Sequence, residues 1–451
     1  MLQSEDLPGA AKTCEAFFGG ADWLSCSVSV ACTLSVYLVT LAPDVTLQWS
    51  GILSTGAMYG GGQPPPGYPL WTLYAWAFIK LLPFSNIAWR VAVSSAVAGA
   101  LTCGVIALMV SRGGAALLEG SARRLPDEQE NWLRVVCGCV AGMGFGFDSA
   151  FWHQAVIVET TTFGILLFST LLYLLWRWVH APEQTGYLCA AFFVYGLTLT
   201  VNLSMTVAAP GLPFIVLFRK PPLGRDLFFG ITLALAALLL ALSLNLLPEG
   251  MNSGTQLRRV YLLIEIVTAA ITFVAIIATR GFLAYWRTLT ICGVLLMLGL
   301  SLYVYIPIAS MTNPPVNWAY PRSASGFIHL ISRGQFEQIV PTTDLGHFLS
   351  QLAEYAKHTV HALGIIYVLP ALIPFCFLSK LRAPERAWLV GLLVTFLCLS
   401  LLLLAMINPT ADRGAWDIVL FYFAGSHLVL ALCAGHGLVL LGSAIGRPDL
   451  K

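Results

Sequence analysis

The sequence predicts an all-α, polytopic membrane protein, and three observations carry that prediction. Its 451 residues are 58% hydrophobic and only 10% charged, against about 25% charged in an ordinary soluble domain. Mean hydropathy is +0.79. Apolar runs long enough to cross a bilayer recur along the whole chain, and Lys and Arg are shared unequally between alternate connecting segments. The net charge of +2 gives no reason to expect a nucleic-acid partner. Membrane lipids are the expected surroundings.

The apolar runs fall at about 23–42, 86–110, 133–151, 156–176, 187–201, 204–218, 227–247, 260–279, 285–307, 362–379, 387–406 and 416–442, which gives about 12 spans. The runs 187–201 and 204–218 are short and are interrupted by Asn202 and Pro210. The first 20 residues contain Glu5, Asp6, Lys12 and Glu15 and lack the basic start and short apolar core of a cleaved signal peptide. The first span is therefore expected to act as an uncleaved insertion signal.

Charge sets the expected orientation. With a cytoplasmic N-terminus, sixteen of the 24 Lys and Arg lie in cytoplasmic segments, including the basic turns "RKPPLGRD" and "SKLRAPER". The expected organisation is a cytoplasmic segment 1–22, one transmembrane domain 23–442 and a cytoplasmic tail 443–451, in a bacterial inner membrane. Two segments on the opposite, non-cytoplasmic side are too long for simple connectors: 43–85 and 308–361. Long loops of this kind commonly carry function. The eleven cysteines are scattered, mostly within apolar runs, and show neither a zinc motif nor a disulfide framework.

The first loop holds "LQWSGILSTGAMYGGGQPPPGYPLW", without a charged side chain. Three consecutive prolines make a stiff, extended piece, after which Gly67 permits a turn. Residues 71–82 read as a short helix at the outer surface, with Trp71, Tyr74 and Trp76 suited to the interface. The second loop turns at Asn313-Pro314-Pro315 and presents Asn317, Trp318 and Tyr320, amide and aromatic surfaces of the kind that stack on sugars. Arg322 and Arg333 are cations on the side where cations are disfavoured; either a phosphate partner or simple solvation accounts for them.

Intramembrane polar groups are costly and are functional candidates by default. Asp148 and His153 lie in "FGFDSAFWHQAVIVET", with Glu159 six residues after the His, forming a polar cluster at the outer face. Glu265 sits inside the eighth apolar run. His358 and His361, at i and i+3, are too few for a metal site. Asp412 and Arg413 either pair with each other or face an anionic substrate.

"LAPDVTLQWSGILSTGAMYGGGQPPPGYPLW", "AWRVAVSSAVAGAL", "FWHQAVIVET", "YIPIASMTNPPVNW" and "SRGQF", in that order, resemble a family of multispanning membrane proteins long known only as a domain of unknown function. Its animal member is a protein O-mannosyltransferase, and the family resembles the GT-C glycosyltransferases. The resemblance implies a polyprenyl-phosphate-linked sugar donor and transfer to a protein or lipid acceptor on the non-cytoplasmic side. It implies an acidic residue in the first outer loop that handles the acceptor hydroxyl, and cations in later loops that hold the lipid phosphate. No cofactor is implied, and a divalent metal remains compatible.

The sequence departs from this family at two points of the first loop. Gln48 stands where an acid is usual, and Pro64 where the family has His. A Gln hydrogen-bonds a hydroxyl but does not take its proton at neutral pH. The catalytic candidates are then Asp44, Gln48, Asp148, His153 and Glu159. The donor phosphate and sugar candidates are Asn317, Trp318, Arg322, Arg333 and Arg413. Ser50, Gly51, Pro65, Pro66, Gly67 and Tyr68 form the first-loop scaffold. Two other readings stand beside the transferase: a catalytically weakened relative that keeps fold and donor binding, and a transporter or flippase for a lipid-linked substrate.

Overall fold

A computed structural model describes residues 17–120, 125–246, 255–333, 340–410 and 412–445. In chain order its helices are α1 (Gly20–Val39), α2 (Ser50–Tyr59), α3 (Pro69–Leu81), α4 (Ile87–Gly120), α5 (Asp127–Gly146), α6 (Ser149–Ala155), α7 (Thr161–His180), α8 (Thr185–Leu199), α9 (Leu212–Arg219), α10 (Pro221–Ser243) and α11 (Thr255–Thr279). They continue as α12 (Trp286–Leu300), α13 (Tyr305–Met311), α14 (Ala324–Ile331), α15 (Leu345–Leu363), α16 (Ile365–Val368), α17 (Ile373–Cys376), α18 (Ala383–Leu397), α19 (Leu403–Ile407), α20 (Arg413–Val419) and α21 (Ala424–Ile445). Among the described residues there is no β-strand; one isolated bridge joins Gly62 to Asn317. The protein is an all-α, multi-pass membrane protein.

The span count differs from the sequence expectation in an instructive way. Eight segments are long and apolar enough to cross a membrane, and ten if each of two bent pairs is counted as one. The bent pairs are α5 with α6, at 72°, and α15 with Ile365–Cys376, at 97°. The remaining two of the twelve expected runs are α8 and Leu203–Arg219, which are shorter apolar helices. Asn202 is the cause of the first shortening. Its side chain accepts the Ser204 N–H at 3.2 Å and the Ser204 hydroxyl at 2.6 Å, which starts a 3-10 turn after α8. Pro210 then falls between that turn and α9.

The packing of the first helices follows from lipid being as apolar as Leu, so that small and polar residues face the protein. In α1 the buried residues are Asp22, Ser25, Ser29, Thr33 and Tyr37, a helical stripe, while Leu24, Leu38 and Val39 are exposed. This stripe meets α4 and α5. Gly138 and Gly142 of α5 make the approach possible: a Cβ on Gly138 would stand 2.2 Å from Ser25 Oγ, and one on Gly142 2.5 Å from the Cys103 carbonyl oxygen. At one end Asp22 is fully buried, accepts from Ser111 Oγ at 2.6 Å and pairs with Arg134 at 2.6 Å. The same end carries the Arg382–Glu119 pair. The two long loops gather at the other end, called here the loop end.

At the loop end the expected helix over 71–82 is α3, with Pro69 in its first turn. The proline run differs from the extended, interfacial piece expected. Residues 61–67 are buried, and Gly67 N–H donates to the Pro64 carbonyl at 2.8 Å, so the run is a turn. It is buried because the second loop lies on it. A Cβ on Gly61 would stand 2.3 Å from the Val316 carbonyl oxygen, and one on Gly67 2.4 Å from Ile306 Cδ1. Trp318 N–H donates to the Gly62 carbonyl at 3.1 Å, and the Tyr305 hydroxyl to the Gly60 carbonyl at 2.9 Å. Trp71, expected at the interface, is fully buried instead.

Candidate functional site

The residue around which the loop end is organised is Glu159. It lies in the non-helical link between α6 and α7, where the backbone turns from one helix into the next. Three contacts fix that backbone. Trp71 Nε1 donates to the Glu159 carbonyl at 3.2 Å, Ser95 Oγ donates to the same carbonyl at 3.1 Å, and Glu159 N–H donates back to Ser95 Oγ at 3.3 Å. First-loop helix α3 and span α4 thus hold the carboxylate-bearing residue from two sides. The side chain is buried, and Oε2 accepts the Thr160 N–H at 3.0 Å. Burial pushes the carboxyl up to about 7, with the Thr160 N–H acting in the opposite direction.

Other polar groups converge on the same place. Tyr68, at the head of α3, lies within electrostatic reach of Tyr422, Glu159, Arg333 and Tyr303. Burial, then Tyr422 and Glu159, raise its hydroxyl above the ordinary tyrosine range, while Arg333 works the other way. Tyr422, in the turn before α21, stands within reach of both Arg333 and Glu159. The Tyr303 hydroxyl donates to the Leu199 carbonyl at 3.2 Å. Tyr68 and Arg333 both have left-handed backbones, at φ 43° and 57°. Non-glycine residues held this way recur at functional sites, where surrounding structure imposes the conformation. Here the surrounding structure is the head of α3 and the end of α14.

Asp148 is fully buried and caps α6, accepting the Ala150 N–H at 2.9 Å. Its other oxygen is bonded to Nδ1 of His427, on α21. His427 Nε2 faces Thr359 Oγ1 of α15 at 3.3 Å, and the neighbouring Ser426 Oγ lies 2.9 Å from the Tyr355 hydroxyl of the same helix. His153 is exposed and its ring meets only the Gln154 amide, at 3.3 Å, among the described residues.

The remaining candidates have other surroundings. Asp44 is exposed and accepts the N–H of its neighbour Val45 at 2.7 Å. Gln48 is exposed, with a left-handed backbone at φ 72°. The scaffold residue Ser50 is buried and accepts the Thr46 N–H at 3.3 Å, which closes the turn into α2; Gly51 follows it in the first turn. Pro65 and Pro66 occupy the buried turn. Asn317 is engaged by Ser310, whose hydroxyl donates to Oδ1 at 2.7 Å, and Trp318 packs edge-on against Trp49 at 5.9 Å. Arg322 is exposed and donates to Asn313 Oδ1 at 2.8 Å. The side chain of Arg413 lies outside the described residues. Among the described residues no three His, Cys, Asp or Glu side chains group as metal ligands.

Sequence reasoning named Glu159, Arg333 and Tyr68 but not Tyr303, Tyr422 or His427. Both tyrosines sit in apolar runs, where an aromatic residue gives no distinguishing signal. His427 does give one: a histidine inside "YFAGSHLVLAL" is an ionisable group in an apolar run.

This arrangement brings a carboxyl that burial raises to about 7, an arginine and tyrosine hydroxyls within electrostatic reach of one another. Such a set suits proton transfer beside an anionic group.

Residues 61–224 match the family model described as the Protein O-mannosyl-transferase TMEM260 N-terminal domain. A curated relative from Mus musculus, named Protein O-mannosyl-transferase TMEM260, is 30% identical over 222 residues. That alignment covers 48% of this chain and 29% of the relative, so the chain meets less than a third of that protein's length. No solved structure matches. The relative is an animal protein, so the comparison does not bear out the expected bacterial inner membrane. The matched segment contains Tyr68, Asp148, His153 and Glu159, while Asp44 and Gln48 precede it. Over residues 61–224, which carry Glu159 and helix α3, the chain is similar to the TMEM260 N-terminal domain, and that similarity supports an O-mannosyltransferase-like family.

Proposed function

We propose that the protein is a membrane glycosyltransferase that moves a sugar, mannose by analogy with its relative, from a polyprenyl-phosphate donor to a hydroxyl of a protein acceptor. Transfer takes place at the loop end, which is the non-cytoplasmic face, with both termini cytoplasmic. The observation that carries this reading is the convergence of Glu159, Arg333, Tyr68 and Tyr422 at the seam of the two long loops, inside a chain with an O-mannosyltransferase relative.

The chemistry follows from those groups. Ionised Glu159 takes the proton of the acceptor hydroxyl as its oxygen attacks the anomeric carbon. The bond from that carbon to the phosphate oxygen breaks, and the polyprenyl phosphate leaves with the electron pair. Arg333 stabilises the charge that gathers on the phosphate. The tyrosine hydroxyls offer donors and acceptors to the sugar. No step requires an added cofactor. In this scheme Gln48 need not act as a base, because the buried carboxyl of Glu159 supplies that function. The absence of an acid at 48 favours the weakened-relative reading only if Glu159 proves dispensable.

The test is a proteoliposome assay with radiolabelled polyprenyl-phosphate mannose and a Ser/Thr-containing protein acceptor. Transfer to the acceptor, lost together with donor binding in Arg333→Gln, is the expected result. Flux of the donor across the bilayer without any covalent transfer would instead identify a transporter.

A further inference from the structure

Asp148 and His427 are 279 positions apart in sequence, yet both are buried and directly bonded. Their bond is a junction of three elements. Asp148 sits at the 72° break between α5 and α6 and caps α6. His427 lies in the first turn of α21, and Thr359, on its other ring nitrogen, belongs to α15. Helix α6 itself touches both α15 and the turn Leu420–Phe423. Helices α6 and α21 both adjoin the proposed site in the chain. Eleven residues after Asp148 comes Glu159, and five before His427 is Tyr422. Helix α15 follows the segment that bears Arg333.

We propose that Asp148 and His427 are positioning residues, whose buried bond locks α6, α21 and α15 together so that Glu159 and Tyr422 face Arg333. The inference rests on the transferase reading above, and it gives Asp148 a role different from the catalytic one expected from sequence. The geometry argues for position. Asp148 is fully buried, with one oxygen on the α6 N-terminus and the other on His427, so its carboxylate joins two helices and is not open to an acceptor hydroxyl.

The two roles separate at Asp148→Asn. The amide keeps the cap through Oδ1 and offers an Nδ2–H to His427. The imidazole answers by moving its proton to Nε2, from which it donates to Thr359 Oγ1. Asp148→Ala removes both contacts. A positioning role therefore predicts that Asn restores what Ala loses, whereas a carboxylate acting in proton transfer is lost equally in both.

Two measurements on the full-length protein decide the matter. In the proteoliposome assay Asp148→Ala should lower kcat on the order of 100-fold, the cost of misplacing a reacting group by about 1 Å. Its donor KM should stay within about threefold, and Asp148→Asn should stay within about threefold of the parent in both. Independently of turnover, Glu159 is labelled with dicyclohexylcarbodiimide, which attacks protonated carboxyls in apolar surroundings, and the pH midpoint of labelling is read by peptide mass. Asp148→Ala should move that midpoint down by about one unit or more as the loosened link lets water reach Glu159, and Asp148→Asn should not move it. An unmoved midpoint in Asp148→Ala overturns the proposal, as does equal loss of kcat in both variants. A parent protein that transfers no mannose, with the midpoint moving as stated, overturns the transferase reading but not the junction.

Discussion

Replacing Gly61 by Ala opens the seam between the two long loops by a predictable amount. The new Cβ would stand 2.3 Å from the Val316 carbonyl oxygen, where ordinary contact begins at 3.4 Å. That oxygen is main chain and has no rotamer to change, so the strands of the seam must part by about 1 Å. Two hydrogen bonds cross there, Trp318 N–H to Gly62 at 3.1 Å and the Tyr305 hydroxyl to Gly60 at 2.9 Å. Lengthened by about 1 Å, neither is a hydrogen bond. At about 1 kcal/mol each, the seam loses about 2 kcal/mol, or roughly a 30-fold increase in its opening equilibrium. The assay is amide hydrogen exchange of the Trp318 segment in detergent or nanodiscs, in which protection should fall by about that factor. Gly20→Ala is the control, because an added Cβ there meets nothing within 4 Å. Unchanged protection at Trp318 in Gly61→Ala would refute the view that this seam is closed by main-chain approach.

Further outcomes follow from the same reasoning. Asp22→Ala removes the closer carboxylate of buried Arg134, leaving Glu130 at 4.0 Å, and should destabilise the protein by about 3 kcal/mol, read as a lower denaturant midpoint. Transfer should rise with pH through about 7, where Glu159 ionises, falling about tenfold per unit below it; a rate that is flat from pH 5.5 to 8 would be incompatible with Glu159 as the base. The same shift destabilises the fold in the opposite direction. A carboxyl with a raised native pKa contributes stability fully below its unfolded value, about 4.3, and that contribution is lost as pH rises through about 7. Finally, Gln48→Glu and Asp44→Ala each alter an exposed side chain, so transfer should stay within about twofold; a large gain in Gln48→Glu would restore the weakened-relative reading.

How far the sequence could be read depended on the range of the interaction that fixed each feature. The membrane helices were legible because lipid imposes a length and a composition on every span separately. Helices α8 and α9 were the exceptions: Asn202 and Pro210 were visible, but the side-chain capping that shortens α8 is a matter of three-dimensional geometry. Helix α3 was legible from Pro69 and the aromatic run. The burial of Trp71 was not, because it depends on the Glu159 carbonyl 88 positions away. Glu159, Arg333 and Tyr68 could each be named from residue type and place. Their convergence, and the pairing of Asp148 with His427, arise only when the two loops and α21 fold onto one another.

As the base of a sugar transfer at the loop end, Glu159 should be indispensable to turnover. Measuring mannose transfer by Glu159→Gln in proteoliposomes tests it most directly, since Gln keeps the size of the side chain and its contact with Thr160 while removing the proton acceptor. A fall of about 100-fold or more, with donor binding retained, is the predicted result. Transfer at the parent rate in Glu159→Gln would contradict it.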